Sequence, residues 1–265
     1  MKKAIVSLAG LVCLVSLAPL SGAEFWDKKK FTQWSEKEVR KMLTHSPWTQ
    51  DFEDTDVHID PLQSPSISAG PPTSETGAGA PETGDTDVGL RARQPIARMV
   101  YKFQIRSALP IRQALVRSAQ LRQDYEHLPA EQKLVFDKQA ERFLAETFSD
   151  RVVIYVTCES NIDFDQRELI RYWRTQTTDT LKNNVYLIGG KGRKAELREF
   201  AIADQSGKAF QFTFPRTMEG APLVGPEEKS LQLEFKHPDI RGRGERRVLV
   251  EFPLKKMLMD GQLEY

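Results

Sequence analysis

Arg151-Val152-Val153-Ile154-Tyr155-Val156-Thr157-Cys158 is the stretch on which the fold turns. Side chains of a strand alternate between faces, so Val152, Ile154 and Val156 share one side while Val153 and Tyr155 share the other. A strand apolar on both sides belongs at the centre of a covered sheet. Downstream, Asp165 with Glu168 is placed to cap a helix through Leu169, Ile170 and Trp173. Strand patterns then recur at 185–188, 195–202, 209–214, 231–235 and 247–252, with turns at Gly189-Gly190 and Gln205-Ser206-Gly207. A short helix is expected at 254–259, before the closing Leu263-Glu264-Tyr265.

Upstream of that strand, 99–106 alternates with Tyr101, Phe103 and Ile105 on one face. Pro110 suits the first position of a helix running to about Gln123. Leu128-Pro129 opens a second, with Phe136, Ala140, Phe143 and Leu144 as its apolar stripe, so 110–148 is expected to be a helical hairpin. The fold class is α+β, with helices mainly in the first half and an antiparallel sheet or β-sandwich in the second.

The N-terminal part divides by composition. Lys2 and Lys3, the apolar run Ala4 to Leu17 and the small residues Ser21-Gly22-Ala23 form the three parts of a secretory signal. The apolar run is too short for a bilayer of ~30 Å, which argues against an uncleaved anchor. Val12 before Cys13 is not the small residue that lipidation needs. The expectation is removal of 1–23, a mature start near Glu24, and a periplasmic or extracellular protein. That removal takes two lysines and no acid, turning a formal charge of +1 into −1 and leaving Cys158 as the one cysteine. A lone thiol forms no internal disulfide, so stability must come from apolar burial.

Residues 24–49 read as an aromatic-rich head around one helix. Ser35 and Glu38 make a capping box, Val39, Met42 and Leu43 an apolar face, and Pro47 the stop. Trp34, Trp48 and that face must dock on the body, because three turns alone are marginal in water. Residues 50–88 carry nine acids and no Lys or Arg, and are rich in Pro, Gly, Ser and Thr from Pro61 onward. The segment is expected to be a linker, disordered over 63–88. Residues 89–123 reverse the sign, with eight bases and no acid; the acidic stretch is close enough to fold back over the basic one and screen it, and the competing reading is that both runs are simply solvated. The body is then 89–265, with its β-rich part at 151–265.

Trp34-Ser35-Glu36-Lys37-Glu38-Val39 with Ser46-Pro47-Trp48, the segment Ser107-Ala108-Leu109-Pro110-Ile111-Arg112-Gln113-Ala114, and the ending Met259-Asp260-Gly261-Gln262-Leu263-Glu264-Tyr265 resemble an uncharacterised family of exported bacterial proteins. The resemblance implies export and a shared fold over the mature chain except the linker. It carries no activity, cofactor or site.

The sharpest chemical pattern is Asp54-x-Asp56-x-His58-x-Asp60, which places four metal-ligand types on one face of an extended chain. Ile59 and Pro65 stand where an EF-hand needs glycine and glutamate. The competing reading is a solvated edge strand with Val57 and Ile59 inward. Cys158 ends an apolar strand beside Glu159, which suits a packed thiol better than a nucleophile. Asn161, Asp163 and Asp165 imitate a calcium loop but are explained by helix capping. Gly189-Gly190-Lys191-Gly192-Arg193-Lys194 lacks the P-loop pattern and reads as a hairpin turn. His45, His58, His127 and His237 have no partner at ligand spacing. No cofactor is expected.

Clustered cations attract phosphate polymers, but export disfavours nucleic acid, and Arg112, Arg117 and Arg122 are spaced five apart and spread around their helix. The expected function is a non-catalytic binding, assembly or envelope-associated module, its partner a protein or an envelope polymer. The alternative is a hydrolase of envelope or extracellular polymer, with a carboxylate pair drawn from Glu159, Asp163 and Asp165.

Overall fold

The computed structural model describes residues 24–57, 96–225, 227–242 and 244–265. The expected signal segment, the linker at 63–88 and two of the metal candidates, His58 and Asp60, lie outside them. Helices are α1 (Phe25–Lys28), α2 (Glu36–Thr44), α3 (Leu109–Arg122), α4 (Ala130–Ala145), α5 (Asp163–Thr175) and α6 (Thr178–Leu181). Strands are β1 (Thr49–Val57), β2 (Ile96–Ile105), β3 (Arg151–Ser160), β4 (Val185–Ile188), β5 (Lys194–Glu196), β6 (Glu199–Ile202), β7 (Ala209–Pro215), β8 (Thr217–Met218), β9 (Ala221–Pro222), β10 (Ser230–His237), β11 (Arg246–Pro253), β12 (Leu258–Met259) and β13 (Gln262–Leu263). The class is α+β, with helices mostly in the first half and strands in the second.

Two antiparallel sheets carry the core. The first has the order β1-β2-β3-β7-β6 and the second β11-β10-β4-β5, so β3 is the central strand of the first. Their inner faces meet through Tyr101 and Phe103 against Phe235, with ring centroids 5.7 and 5.5 Å apart. Trp173 from α5 stacks on Phe210 at 4.2 Å and so extends the same core over β7. Residues 195–202, expected as one strand, are two: β5 pairs with β4 in the second sheet and β6 with β7 in the first. Leu197 is buried at the corner, and the Arg198 N–H donates to the Thr213 carbonyl, so the chain changes sheets without losing its pairing.

Only one face of β3 is fully covered. Val152, Ile154, Val156 and Cys158 are inside, while Val153, Tyr155 and Thr157 are half-exposed on the outer face. The second apolar row is shielded by a side chain instead: the Arg106 guanidinium lies 3.3 Å from the Tyr155 ring centroid.

The first residues of the acidic stretch are not linker. Residues 49–57 form β1, paired along their full length with β2 from Thr49↔Gln104 to Val57↔Ile96. The outward acids meet the bases of β2, as Glu53 pairs with Arg98 at 2.5 Å and Asp51 lies 3.9 Å from Lys102. The fold-back of acidic chain over basic chain is therefore, at this point, a strand ladder. Two further bases of the run, Arg112 and Arg117, are used internally as well. Arg112 donates to the carbonyls of Phe143, Leu144 and Glu146 at the C-terminal end of α4, where a cation complements the helix dipole. Arg117 donates to the Trp34 carbonyl.

The head docks on the body. Ser35 Oγ accepts from the Glu38 N–H, and the Glu38 carboxylate accepts from the Ser35 N–H, which is the capping box. Trp34, Met42 and Trp48 are fully buried, and Trp48 Nε1 donates to the Glu264 carbonyl at 2.7 Å. In α4, by contrast, no residue is fully buried; Leu134, Val135 and Phe143 are exposed, so its apolar stripe is only partly covered by α3.

Two more local expectations change. The helix expected at 254–259 is a 3-10 turn, Leu254–Lys256, followed by the β12–β13 hairpin. Asp260 and Gly261 both have positive φ, the geometry that an Asp-Gly hairpin turn supplies. The N-cap of α5 is Ile162, without a side-chain capping bond, and Asp165 points inward instead.

Candidate functional site

Asp165 and Asp54 are drawn into a buried polar seam where β1, α5 and the β10–β11 connection meet. Arg241 Nε and Nη2 donate to Asp165 Oδ2 at 3.0 and 2.8 Å, and these side chains are 13% and 4% exposed. Arg246 Nη2 lies 2.6 Å from Asp54 Oδ1, which ties β11 to β1 across the open side of the two sheets. His237 is buried among them; its Nε2 and Arg241 Nη1 have no hydrogen-bond partner among the described residues. Burial lowers the His237 pKa and Arg246 and Arg241 add to that, while Asp54 and the Pro238 backbone oppose it. The seam explains Asp54 as an ion-pair partner and Asp165 as a counter-charge.

Asp56 continues β1, and among the described residues no group of three or more His, Cys, Asp or Glu side chains is placed to hold a metal. The Asn161 side chain also serves the fold. Its Oδ1 accepts from the Arg98 N–H and its Nδ2 donates to the Ile96 carbonyl, extending the β2–β3 ladder. Cys158 is fully buried, and burial, with smaller contributions from Asp204 and Glu159, pushes its thiol up to about 12. The glycine-rich loop is the β4–β5 hairpin, with Lys191 and Gly192 at positive φ. A side chain at Gly189 would place Cβ 2.0 Å from the Leu223 carbonyl oxygen, so close packing demands glycine there. Arg193 is turned to that same carbonyl.

Among the described residues, three carboxylates have displaced pKa values, Glu38, Asp150 and Asp204, and all three move downward. Glu38 falls to about 2, mainly through Lys29 and then the Ser35 backbone. The Arg198 hydrogen bond holds Asp150 low. Burial pushes Asp204 up, but Ser206 and the backbone N–H groups of Ala209, Gly207 and Lys208 outweigh it. A general acid for glycosidic cleavage needs the opposite displacement. Of the hydrolase candidates, Asp165 is engaged by Arg241, Asp163 is exposed in the first turn of α5, and Glu159 is exposed at the end of β3.

Two of the places open to a ligand are on the outer faces of the sheets. On the first sheet a groove of about 380 Å³ is lined by Asp51, Glu53, Arg98, Lys102, Glu159 and Asn161, with Val100 and Ser160 between them. Its polar side chains are hydroxyl, amide, carboxylate, ammonium and guanidinium, and the Arg106-stacked Tyr155 stands on the same face of β3. On the second sheet a cleft of about 250 Å³ is lined by Asn183, Asn184, Tyr186, Lys194, Glu234, Lys236 and Arg247. Sequence reading missed both, because each is assembled by strand register from residues far apart in the chain.

Comparison with protein-family models, with curated proteins and with solved structures finds no match. The architecture and the outer-face sites define the chain as a two-sheet α+β protein with open polar sheet faces. Among the described residues, no helix is long and apolar enough to cross a membrane.

Proposed function

We propose that this chain is an exported, non-catalytic module that binds an envelope polymer on the open face of its first sheet. The observation that carries the reading is the groove over β1, β2 and β3. Its mixed donors and acceptors suit a hydroxyl-rich chain, since a sugar offers both on every ring. Arg98 is held by Glu53, so one side of the groove is pre-ordered, which lowers the cost of ordering side chains on binding. Export rests on the three-part segment at 1–23. The test is to produce the full chain in a bacterium and recover it from outside the cytoplasm. N-terminal sequencing should read from Glu24, and the recovered protein should sediment with insoluble envelope polymer. Glu159→Ala together with Asn161→Ala should weaken that sedimentation. Protein still beginning at Met1, or remaining in the supernatant at every polymer concentration, contradicts the proposal.

A further inference from the structure

The second sheet carries a cluster that the groove reading leaves unused. Sheet register brings outward positions of four strands together: Lys194 on β5, Tyr186 on β4, Glu234 and Lys236 on β10, and Arg247 on β11. Asn183 and Asn184, just before β4, close one end. Three cations and one carboxylate line this cleft.

Glu234 is an outward residue and is nevertheless buried, because its neighbours close over it. Lys194 Nζ lies 3.3 and 3.2 Å from its two carboxylate oxygens. Arg247 Nε stands 3.6 Å from Oε1, beyond a good hydrogen bond, and the Arg247 side chain is 68% exposed. Lys194 Nζ is also 5.1 Å from the Tyr186 ring centroid, which fixes its direction. Lys236 is held from the solvent side by Glu245 at 3.1 Å. One internal carboxylate thus gathers two cations, Lys194 closely and Arg247 loosely, in a cleft that two asparagine amides also line.

We infer that this cleft binds an oxyanion, a phosphate or carboxylate group carried by the polymer of the proposed function, with Arg247, Lys194 and Lys236 as its ligands. Glu234 acts as the internal stand-in for that group. Its carboxylate keeps Lys194 and Arg247 aimed into the cleft while it is empty, and it competes with the incoming anion. Arginine presents a planar fork that fits either oxyanion, and the asparagine amides add donors. The inference rests on the envelope-binding reading and names the chemistry of the ligand.

The experiment measures binding of inorganic polyphosphate, polygalacturonate and neutral dextran to the mature chain by titration at low and high salt. The parent should bind at least one of the two polyanions more tightly than dextran, and the stronger arm identifies phosphate or carboxylate. Arg247→Ala and Lys194→Ala should each weaken binding about two- to fivefold, the range expected for one solvent-exposed ion pair. Glu234→Gln removes the competitor and should tighten binding by a similar factor. All differences should shrink as salt shortens the screening length. Arg247 is exposed, so its substitution reports on binding even if the Glu234 variant folds poorly. Equal affinity of parent and Arg247→Ala, or no binding of either polyanion, overturns the oxyanion site. In that case continued sedimentation with envelope polymer leaves the wider reading standing, whereas its loss from the parent overturns that reading too.

Discussion

Removing the carboxylate of Asp165 separates a structural role from a catalytic one. Asp165 Oδ2 takes two N–H groups of Arg241, at 3.0 and 2.8 Å, and 76 residues of chain separate the partners. With exposures of 13% and 4%, the pair is nearly out of water. Asp165→Ala leaves a guanidinium buried without that counter-charge, beside Arg246 and a His237 ring that burial, with smaller help from both cations, already holds away from protonation. Breaking one side of a buried pair costs about 3–5 kcal/mol. For a chain of this size that is a fall of roughly 6–20 °C in Tm, at about 2–4 °C per kcal/mol. Urea unfolding should show a lower midpoint with an unchanged slope. Asp165→Leu with Arg241→Met should regain most of the loss, because an apolar pair of similar volume needs no charge compensation. Asp165→Ala unfolding at the parental midpoint, with polymer cleavage abolished, would refute the structural assignment and favour the hydrolase.

Four further outcomes follow from single residues. Trp34→Ala should cost about 3–5 kcal/mol in the same unfolding assay, since the indole is fully buried and its removal leaves a cavity. Cys158 should resist Ellman's reagent at pH 8 in the native protein and react on unfolding, because the buried thiol is pushed up to about 12. The His237 pKa lies below 6.5 when folded, so the unfolded chain binds more protons as pH falls. Stability should therefore decline below about pH 6.5, and His237→Asn should flatten that part of the profile. Glu38, held at about 2, contributes stability that is present at neutral pH and lost as pH falls from about 4.5 toward 2; Glu38→Gln should flatten that window.

Much of the fold was legible because its signals are local. The Ser35/Glu38 box, the β3 pattern and the β4 and β7 strands depend on residues within a few positions of each other. The Asp-Gly pair at 260–261 was equally local and overlooked, which turned a hairpin into an expected helix. The other misses are long-range. Nothing in Ala195-Glu196-Leu197-Arg198-Glu199 marks a change of sheet, since both halves alternate as strands. The acids of β1 read as linker because their partners, Lys102 and Arg98, lie beyond a long intervening segment. Asp165 read as a cap because Arg241 is invisible from its neighbourhood. The cleft around Glu234 needs the register of four strands before Lys194 and Arg247 become neighbours.

The most direct test of a non-catalytic binding module is incubation of the purified chain with isolated insoluble envelope polymer, measuring bound protein and released soluble fragments in the same tubes. The account predicts saturable binding with no fragments above the polymer-only control over many hours. It also predicts that binding falls when Glu159 and Asn161 in the first-sheet groove are replaced by alanine. Steady release of fragments, lost on replacing Glu159 or Asp163 alone, would contradict it and identify a hydrolase.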